Sequence, residues 1–275
     1  MTGQGAIGQR YSRSGILIVF MLLTILPLLS MLSTALQPQG TAPEGIGIPR
    51  HPQWHNFVAA WNAADFLPLM KSSTLIVLGV VPAAVVFATF AGYGLARFRI
   101  PGARFFYPLF LLGLTLPAVS LVTPLYYELN SMGLIDTRWA LILPLVGLDM
   151  SFGVYWMRTH FLGSPMELVE AAQVDGAGTW QSFWKIQVPL AIPAISSLSI
   201  LFFIWTWNQF LLALVLDPIP SQSTMAGALG AFEGQFNTNV VLLCAGSLIL
   251  IAPSLIIFLI FQRSFAKALL QGAIK

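Results

Sequence analysis

The polar segment at residues 170–176 is where residue type and spacing in this chain could do chemistry. It reads EAAQVDG, and IQVP follows at 186–189. Small alanines let another surface approach closely, and the carboxylates of Glu170 and Asp175 can pair with basic groups on that surface. The pattern therefore indicates docking to a partner rather than the making or breaking of bonds.

The other residues that could support catalysis or metal binding are scattered. His51 and His55 have the i, i+4 spacing of a helical metal pair, but Pro52 disfavours a regular helix between them. His160 has no second ligand near it in sequence, and the single Cys244 excludes an internal disulfide or a cysteine cluster. The chain contains neither a Gly-x-Ser-x-Gly elbow nor a phosphate-binding loop. An enzyme is accordingly the least supported class.

Local signals predict that the docking segment is a short helix. Ser164, Pro165 and Glu167 form a capping-box pattern, with Ser164 as N-cap and Pro165 at the first helical position. Gly176 and Gly178 are expected to end the helix after about three turns. From these residues alone two interpretations stay open: a docking helix, or an interfacial helix that only connects two spans.

The composition places this helix on a membrane protein. Of the 275 residues 57% are hydrophobic and 8% are charged, and the mean hydropathy is +0.80. Soluble domains carry about 25% charged residues, so this chain could not cover a water-facing surface. The net charge of +3 is expected to reflect basic residues in loops beside the membrane, not nucleic-acid binding.

Apolar runs with few charges predict six membrane spans. Each run is close to the roughly 20 residues that a helix needs to cross a bilayer. The predicted fold is an all-α integral membrane protein with six transmembrane helices and a cytoplasmic coupling helix between spans four and five. The predicted spans are 15–36, 72–96, 105–127, 139–157, 193–216 and 239–262.

The distribution of basic residues predicts the orientation. Six spans leave both termini on one side, and ten of the 13 basic residues then share that side. By the positive-inside rule it is the cytoplasmic side. The predicted organisation is a cytoplasmic N-terminus at 1–14, a transmembrane domain at 15–262 containing the loop 161–190, and a cytoplasmic tail at 263–275. The outer loop 37–71 is expected to hold one short helix near 56–64.

The docking segment resembles a known motif. Glu170-Ala171-Ala172, Gly176, Ile186, Val188 and Pro189 match the spacing of the EAA loop of ATP-binding-cassette (ABC) importer permeases, with Val188 in place of the usual leucine. The flanks resemble the carbohydrate-uptake branch, and the C-terminus resembles that of the second permease in maltose-type systems. The flanking segments are DGA at 175–177, PLY at 124–126 and TWNQF at 206–210.

The resemblance implies the partners and the role of the loop. Such importers combine a heterodimer of two permeases, two copies of an ABC ATPase and an extracytoplasmic solute-binding protein in a bacterial inner membrane. ATP and Mg are bound by the partner ATPase, and no cofactor is expected in this chain. The tail residues Lys267 and Lys275 either touch the ATPase or lie near anionic lipid. The residues expected to couple the ATPase to the pore are Glu170, Ala171, Ala172, Asp175, Gly176 and Ala177.

Candidate contacts to the solute come from aromatic and amide side chains within the spans. Sugars are held by aromatic faces and amides, and polar groups in a membrane helix are costly unless they are paired. Each candidate has a simpler alternative: an interfacial tryptophan, or a hydrogen bond between helices. The candidates are Trp205, Trp207, Asn208, Gln209, Asp149 and Tyr126.

The expected function is import of a sugar, a disaccharide or an oligosaccharide, delivered by the external binding protein. A glycerol-phosphate-type or other small-solute importer is the alternative within the same class. A secondary transporter or channel is the alternative outside it, and would be favoured by a buried acidic pair or an inverted repeat. Asp149 is a single carboxylate, and the sequence shows no repeat.

Overall fold

The computed structural model describes residues 3–42, 45–47, 49–217, 219, 222–232 and 238–273. Helices account for the regular structure of these residues, and no strand occurs among them. Within these residues five helices are long and apolar enough to cross a membrane, and a sixth span is counted if one bent helix pair is a single span. The all-helical membrane fold is therefore confirmed.

The helices, in chain order, are listed by their bounds. They are α1 Gly3–Ala35, α2 His55–Ala63, α3 Phe66–Arg97, α4 Ala103–Gly113, α5 Ala118–Ser131, α6 Trp139–Gly163, α7 Glu167–Val174, α8 Thr179–Ser182, a π-helical turn Phe183–Gln187, α9 Val188–Trp207, α10 Leu211–Leu216, a 3₁₀ turn Gly227–Phe232 and α11 Val240–Ala273. The short helix expected near 56–64 is α2. The predicted tail at 263–275 overlaps the end of α11, while Lys275 and the side chain of Lys267 lie outside the described residues.

The third predicted span is not one straight helix. It consists of α4 and α5, which meet at an angle of 104°. Pro117 precedes α5 with extended backbone angles, φ −69° and ψ 123°. A proline donates no backbone hydrogen bond and disfavours helical geometry at the residue before it. The apolar run continues through this proline, so hydropathy alone could not locate the break.

The fifth predicted span, 193–216, was placed too far along the chain. The apolar helical segment covers Thr179–Trp207, and α10 is a separate short helix. Asn208 is the residue at which α9 ends, and both its backbone N–H and its side-chain amide donate to the carbonyl of Ile204, at 3.1 and 2.8 Å. Asparagine is common at helix ends because its side chain can bond to the nearby backbone.

The chain divides into two compact units, and one of them combines the residues up to Phe66 with Leu229–Ile251. Within it the buried Asn56 of α2 holds the segment that follows α1. Its amide nitrogen donates to the carbonyls of Ala35 and Gln37 at 2.9 and 2.8 Å. Because these carbonyls would otherwise lack partners at a helix end, Asn56 stabilises the connection.

The other unit comprises Leu67–Ala228 with Ala252–Lys275, and apolar clusters form among its described residues. One cluster joins α3, α6, the π-helical turn and α9, and Phe161, Phe183 and Phe202 are its largest buried side chains. The second joins α3, α5, α6 and α10. The first cluster lies beneath the segment that carries the EAA residues.

Candidate functional site: the EAA segment

The segment begins differently from the predicted capping box. Ser164 is the residue at which α6 ends, with extended backbone angles, and α7 starts at Glu167 after Met166 without a side-chain cap. Within the described residues the Ser164 hydroxyl has no hydrogen-bond partner. The predicted capping box is therefore wrong: Ser164 has the extended backbone that an N-cap can adopt, but the helix begins later, and the first N–H groups of α7, those of Val169 and Glu170, donate to the Met166 carbonyl.

The end of α7 is a Schellman turn centred on Gly176. The Ala177 N–H donates to the Ala172 carbonyl at 2.8 Å, and the Gly176 N–H donates to the Gln173 carbonyl at 3.0 Å. Gly176 has φ +84°, a left-handed conformation that glycine adopts without strain. The prediction that Gly176 ends the helix is confirmed, and this turn fixes the direction in which the chain leaves the EAA residues.

The exposed face of α7 carries the predicted coupling residues. Glu170, Ala171, Asp175 and Gly176 are exposed, while Ala172 and Ala177 are half-buried. Val169 is the buried residue of this helix. The apolar Val174 is 88% exposed. A short helix that presents carboxylates, small alanines and an exposed valine to the exterior has the composition of a contact surface.

A cavity of about 380 Å³ adjoins this face, between the end of α7 and the start of the next helical segment. The Ser182 hydroxyl beside it is buried and has no hydrogen-bond partner in the part of the chain that the structure describes. The lining residues are Ala172, Asp175, Gly176, Ala177, Gln181, Ser182, Lys185 and Ile186. The contact surface therefore has a polar recess as well as an exposed ridge.

Aromatic packing supports the segment from below. The ring centroids of Tyr93 and Phe183 lie 4.7 Å apart, and those of Tyr93 and Phe161 lie 5.2 Å apart. Phe90 adds a contact to Phe183 at 5.3 Å. These rings connect α3 and α6 with the π-helical turn. The EAA residues therefore lie on a packed base, not on a free loop.

The four candidates near the end of α9 have different surroundings. Trp205 is 43% exposed and packs edge-on against Phe152 at 5.1 Å, whereas Trp207 is 4% exposed and stacks on Phe203. The Asn208 amide donates to Ile204 and to the Ser254 hydroxyl, and the Gln209 side chain accepts from Leu212. Contact of these residues with a solute stays a prediction, and in this conformation Trp205 offers the most accessible ring.

Asp149 and Tyr126 lie on different helices of the same unit. Asp149 in α6 is 7% exposed, and one of its carboxylate oxygens has no partner within the described residues. Tyr126 in α5 is 37% exposed and packs edge-on against Tyr127. Their role in a solute pathway stays a prediction.

A second cavity, of about 420 Å³, lies between α5 and α6. Its lining includes Gly147 and Pro144, which sequence reasoning missed because they belong to an apolar run without a distinguishing pattern. The lining residues are Leu121, Pro124, Leu125, Glu128, Pro144, Gly147 and Leu148. In the described part of the chain no three side chains of the metal-ligating types converge.

A buried carboxyl group lies outside the predicted spans, at the end of α10. Asp217 is fully buried, and its pKa is raised to about 6, chiefly by this burial and secondly by the neighbouring carboxylate of Asp136. The Arg138 guanidinium and the backbone N–H of Ile219 lower this pKa and so limit the rise. Removal of a carboxylate from water disfavours its charged form, so Asp217 titrates closer to neutrality than an exposed aspartate.

The family of the chain follows from its sequence match. Residues 84–271 match the model of a protein family. The family is described as the inner membrane component of binding-protein-dependent transport systems. The matched residues include the EAA segment and every candidate pathway residue. The chain belongs to this family. The resemblance drawn from the spacing of the EAA residues is thus confirmed.

Relatives of this inner membrane component are permeases of named transport systems. It is 35% identical to the trehalose transport system permease protein SugB of Mycobacterium tuberculosis, over 91% of this chain and 92% of that protein. It is 28% identical to the diacetylchitobiose uptake system permease protein NgcG of Streptomyces coelicolor, over 94% and 87%. The arabinooligosaccharides transport system permease protein AraQ of Halalkalibacterium halodurans is 32% identical, over 80% and 78%.

The fold of this inner membrane component also matches a solved structure. A chain in the crystal structure of a bacterial ABC transporter involved in the import of the acidic polysaccharide alginate superposes with a TM-score of 0.79. The match covers 96% of this chain and 99% of that chain at 20% identity, so it shows that the two share a fold.

Proposed function

We propose that this chain is one of two different permease subunits of an ATP-driven importer, and that it passes a disaccharide or oligosaccharide delivered by an external binding protein. The observation that carries the sugar assignment is the 35% identity, over 91% of the chain, to a trehalose transport permease. Relatives named for diacetylchitobiose and arabinooligosaccharides support the same class of solute.

The coupling role of α7 rests on its geometry. Glu170 and Asp175 present carboxylates for basic groups, and the exposed Ala171 lets a partner surface come close. We propose that the partner is an ABC ATPase, present in two copies, which binds the ATP and Mg that this chain does not bind. The catalytic step of ATP hydrolysis then belongs to that partner, and this chain is a transport subunit rather than an enzyme.

The proposed orientation places both termini and α7 on the cytoplasmic side of a bacterial inner membrane. Its support is the excess of basic residues on that side of the six spans. In this orientation α7 faces the compartment that supplies ATP, and the end of α9, with Trp205, lies toward the outside. Trp205, Trp207, Asn208, Gln209, Asp149 and Tyr126 are the proposed pathway residues.

The test is purification of the tagged chain from its host membrane, followed by transport in proteoliposomes. We expect a second permease, an ATPase and a binding protein to co-purify, and we expect ATP-dependent uptake of trehalose or of a short β- or α-linked oligosaccharide. Uptake of a small osmolyte but of no sugar would contradict the sugar assignment and favour a small-solute importer of the same class. Uptake that continues without ATP or the ATPase would contradict the importer mechanism and favour a secondary transporter or channel.

A further inference from the structure

Arg97, the last residue of α3, contacts the linker between α6 and α7, which is residues 164–166. One terminal nitrogen of its guanidinium donates to the Ser164 carbonyl at 2.9 Å, and the other lies 3.3 Å from the Met166 sulfur. Ser164 ends α6 and Met166 immediately precedes α7. The guanidinium therefore holds both ends of the linker at once.

Apart from Arg97, backbone hydrogen bonds hold the two ends of the linker: the Ser164 N–H donates to Phe161, and the Met166 carbonyl accepts from Val169 and Glu170. Pro165 has no N–H to donate, the Ser164 hydroxyl has no partner within the described residues, and α7 starts without a side-chain cap. A planar guanidinium presents several donors in a fixed arrangement, so it can hold two acceptors at a defined separation. A lysine ammonium at the same place is a single flexible point charge and would not define that separation.

The end of α3 is itself fixed to α6. A Cβ atom added to Gly92 would lie 2.7 Å from the Met157 Cβ and 2.8 Å from the Arg158 backbone nitrogen, so the two helices approach closely here. One residue later, Tyr93 is buried and packs on Phe161 and Phe183. Arg97 therefore extends from a rigid base, and its position is set by this packing.

We propose that Arg97 is a positioning residue that ties the entry of α7 to the end of α3. When the ATPase displaces α7, the helices α6 and α9 move because they adjoin the EAA segment along the chain. The contact of Arg97 makes α3 move with them. The inference rests on the proposed coupling role of α7. It adds a path from that helix to a span that is distant from it in sequence.

The first test compares variants of the complete importer in proteoliposomes. Arg97→Met removes the donors and keeps a long side chain, Arg97→Lys keeps the charge, and Arg99→Met is the control because Arg99 is exposed two residues later. We expect Arg97→Met to lower the solute transported per ATP hydrolysed by about tenfold, in line with the loss of hydrogen bonds from a charged donor. We expect Arg97→Lys to be intermediate and Arg99→Met to match the unaltered protein.

The second test reads the position of the linker directly, in the same complexes. Amide hydrogen exchange of residues 164–177 should rise in Arg97→Met, and to a smaller extent in Arg97→Lys, while α3 and α6 keep their protection. If Arg97→Met does not assemble, the positioning role is tested by comparing the amide exchange of residues 164–177 in Arg97→Lys with that in Arg99→Met. Unchanged exchange at 164–177, or a loss of protection spread through α3 and α6, would overturn the positioning role.

The two proposals fail in different ways. Absence of ATP-dependent uptake by the unaltered importer would remove the proposed function. Normal uptake by the unaltered importer, with solute transported per ATP unchanged in Arg97→Met, would remove only the inference about Arg97.

Discussion

Replacing Gly176 with alanine should open the turn that ends α7. The residue has φ +84°, and a Cβ atom built on it meets no atom within 4 Å. The substitution therefore introduces no clash, and its whole cost comes from holding an L-residue in a left-handed conformation. That cost is about 1–2 kcal/mol.

This free energy determines how much more often the turn is open in Gly176→Ala than in the unaltered protein. A cost of about 1–2 kcal/mol raises the open population by roughly 5- to 30-fold. The two hydrogen bonds that close the turn are donated by the amides of Gly176 and Ala177. Their exchange with deuterated solvent should accelerate by the same factor, and a less defined turn should also lower the transport achieved per ATP.

Gly178 provides a matched control two residues away. Its backbone angles, φ −71° and ψ 164°, are open to any residue, and a Cβ atom there also meets nothing within 4 Å. Gly178→Ala should leave exchange at 176 and 177 close to that of the unaltered protein. Equal exchange of these two amides in Gly176→Ala and Gly178→Ala would refute the assignment of a strained position to Gly176.

Three further changes test other parts of the structure. Glu170→Ala should reduce ATP-driven transport by about tenfold or more through loss of a charge-assisted contact, with membrane insertion intact. Glu167→Ala in the same turn should have a smaller effect on transport. Equal transport rates in the two variants would contradict the role of Glu170. Gly92→Ala should destabilise the chain by about 1–3 kcal/mol because its Cβ would enter the backbone of α6, whereas Gly94→Ala should be neutral or stabilising, as measured by thermal unfolding in detergent. Asp217 has a folded-state pKa of about 6, above the unfolded value of about 3.9, so its ionisation costs stability progressively as pH rises from about 4 through 6. The stability of Asp217→Asn relative to the unaltered protein should therefore increase by about 2–3 kcal/mol between pH 4 and 7.5, and a difference that does not vary with pH would contradict the raised pKa.

The features that the sequence predicted well are those with a strong local cause. Hydropathy summed over some 20 residues located the first, second, fourth and sixth spans, because burial in lipid depends on the total and not on any single residue. Gly176 was identified as the end of α7 because a left-handed turn favours glycine whatever surrounds it. The EAA spacing then identified the family, because several positions had to match together.

The errors arose where a local pattern had two possible outcomes. Ser164 fits an N-cap in sequence and in backbone angles, but α7 begins two residues later than the pattern predicts, with Met166 as its N-cap. The apolar run around the fifth span is longer than one span, so hydropathy alone did not fix the ends of the helical segment Thr179–Trp207. No local pattern indicates the role of Arg97, because the carbonyl that it contacts belongs to a residue 67 positions further along the chain.

The π-helical turn at Phe183–Gln187 has a consequence for the orientation of everything that follows it. A π turn accommodates one residue more than an α-helical turn, and each residue of an α-helix corresponds to about 100° of rotation. The side chains of α9 therefore face about 100° away from the directions they would have if the helix ran without the turn. Deleting one residue between 183 and 187 would restore a regular helix and turn the buried face of α9, including Leu198 and Phe202, out of the core.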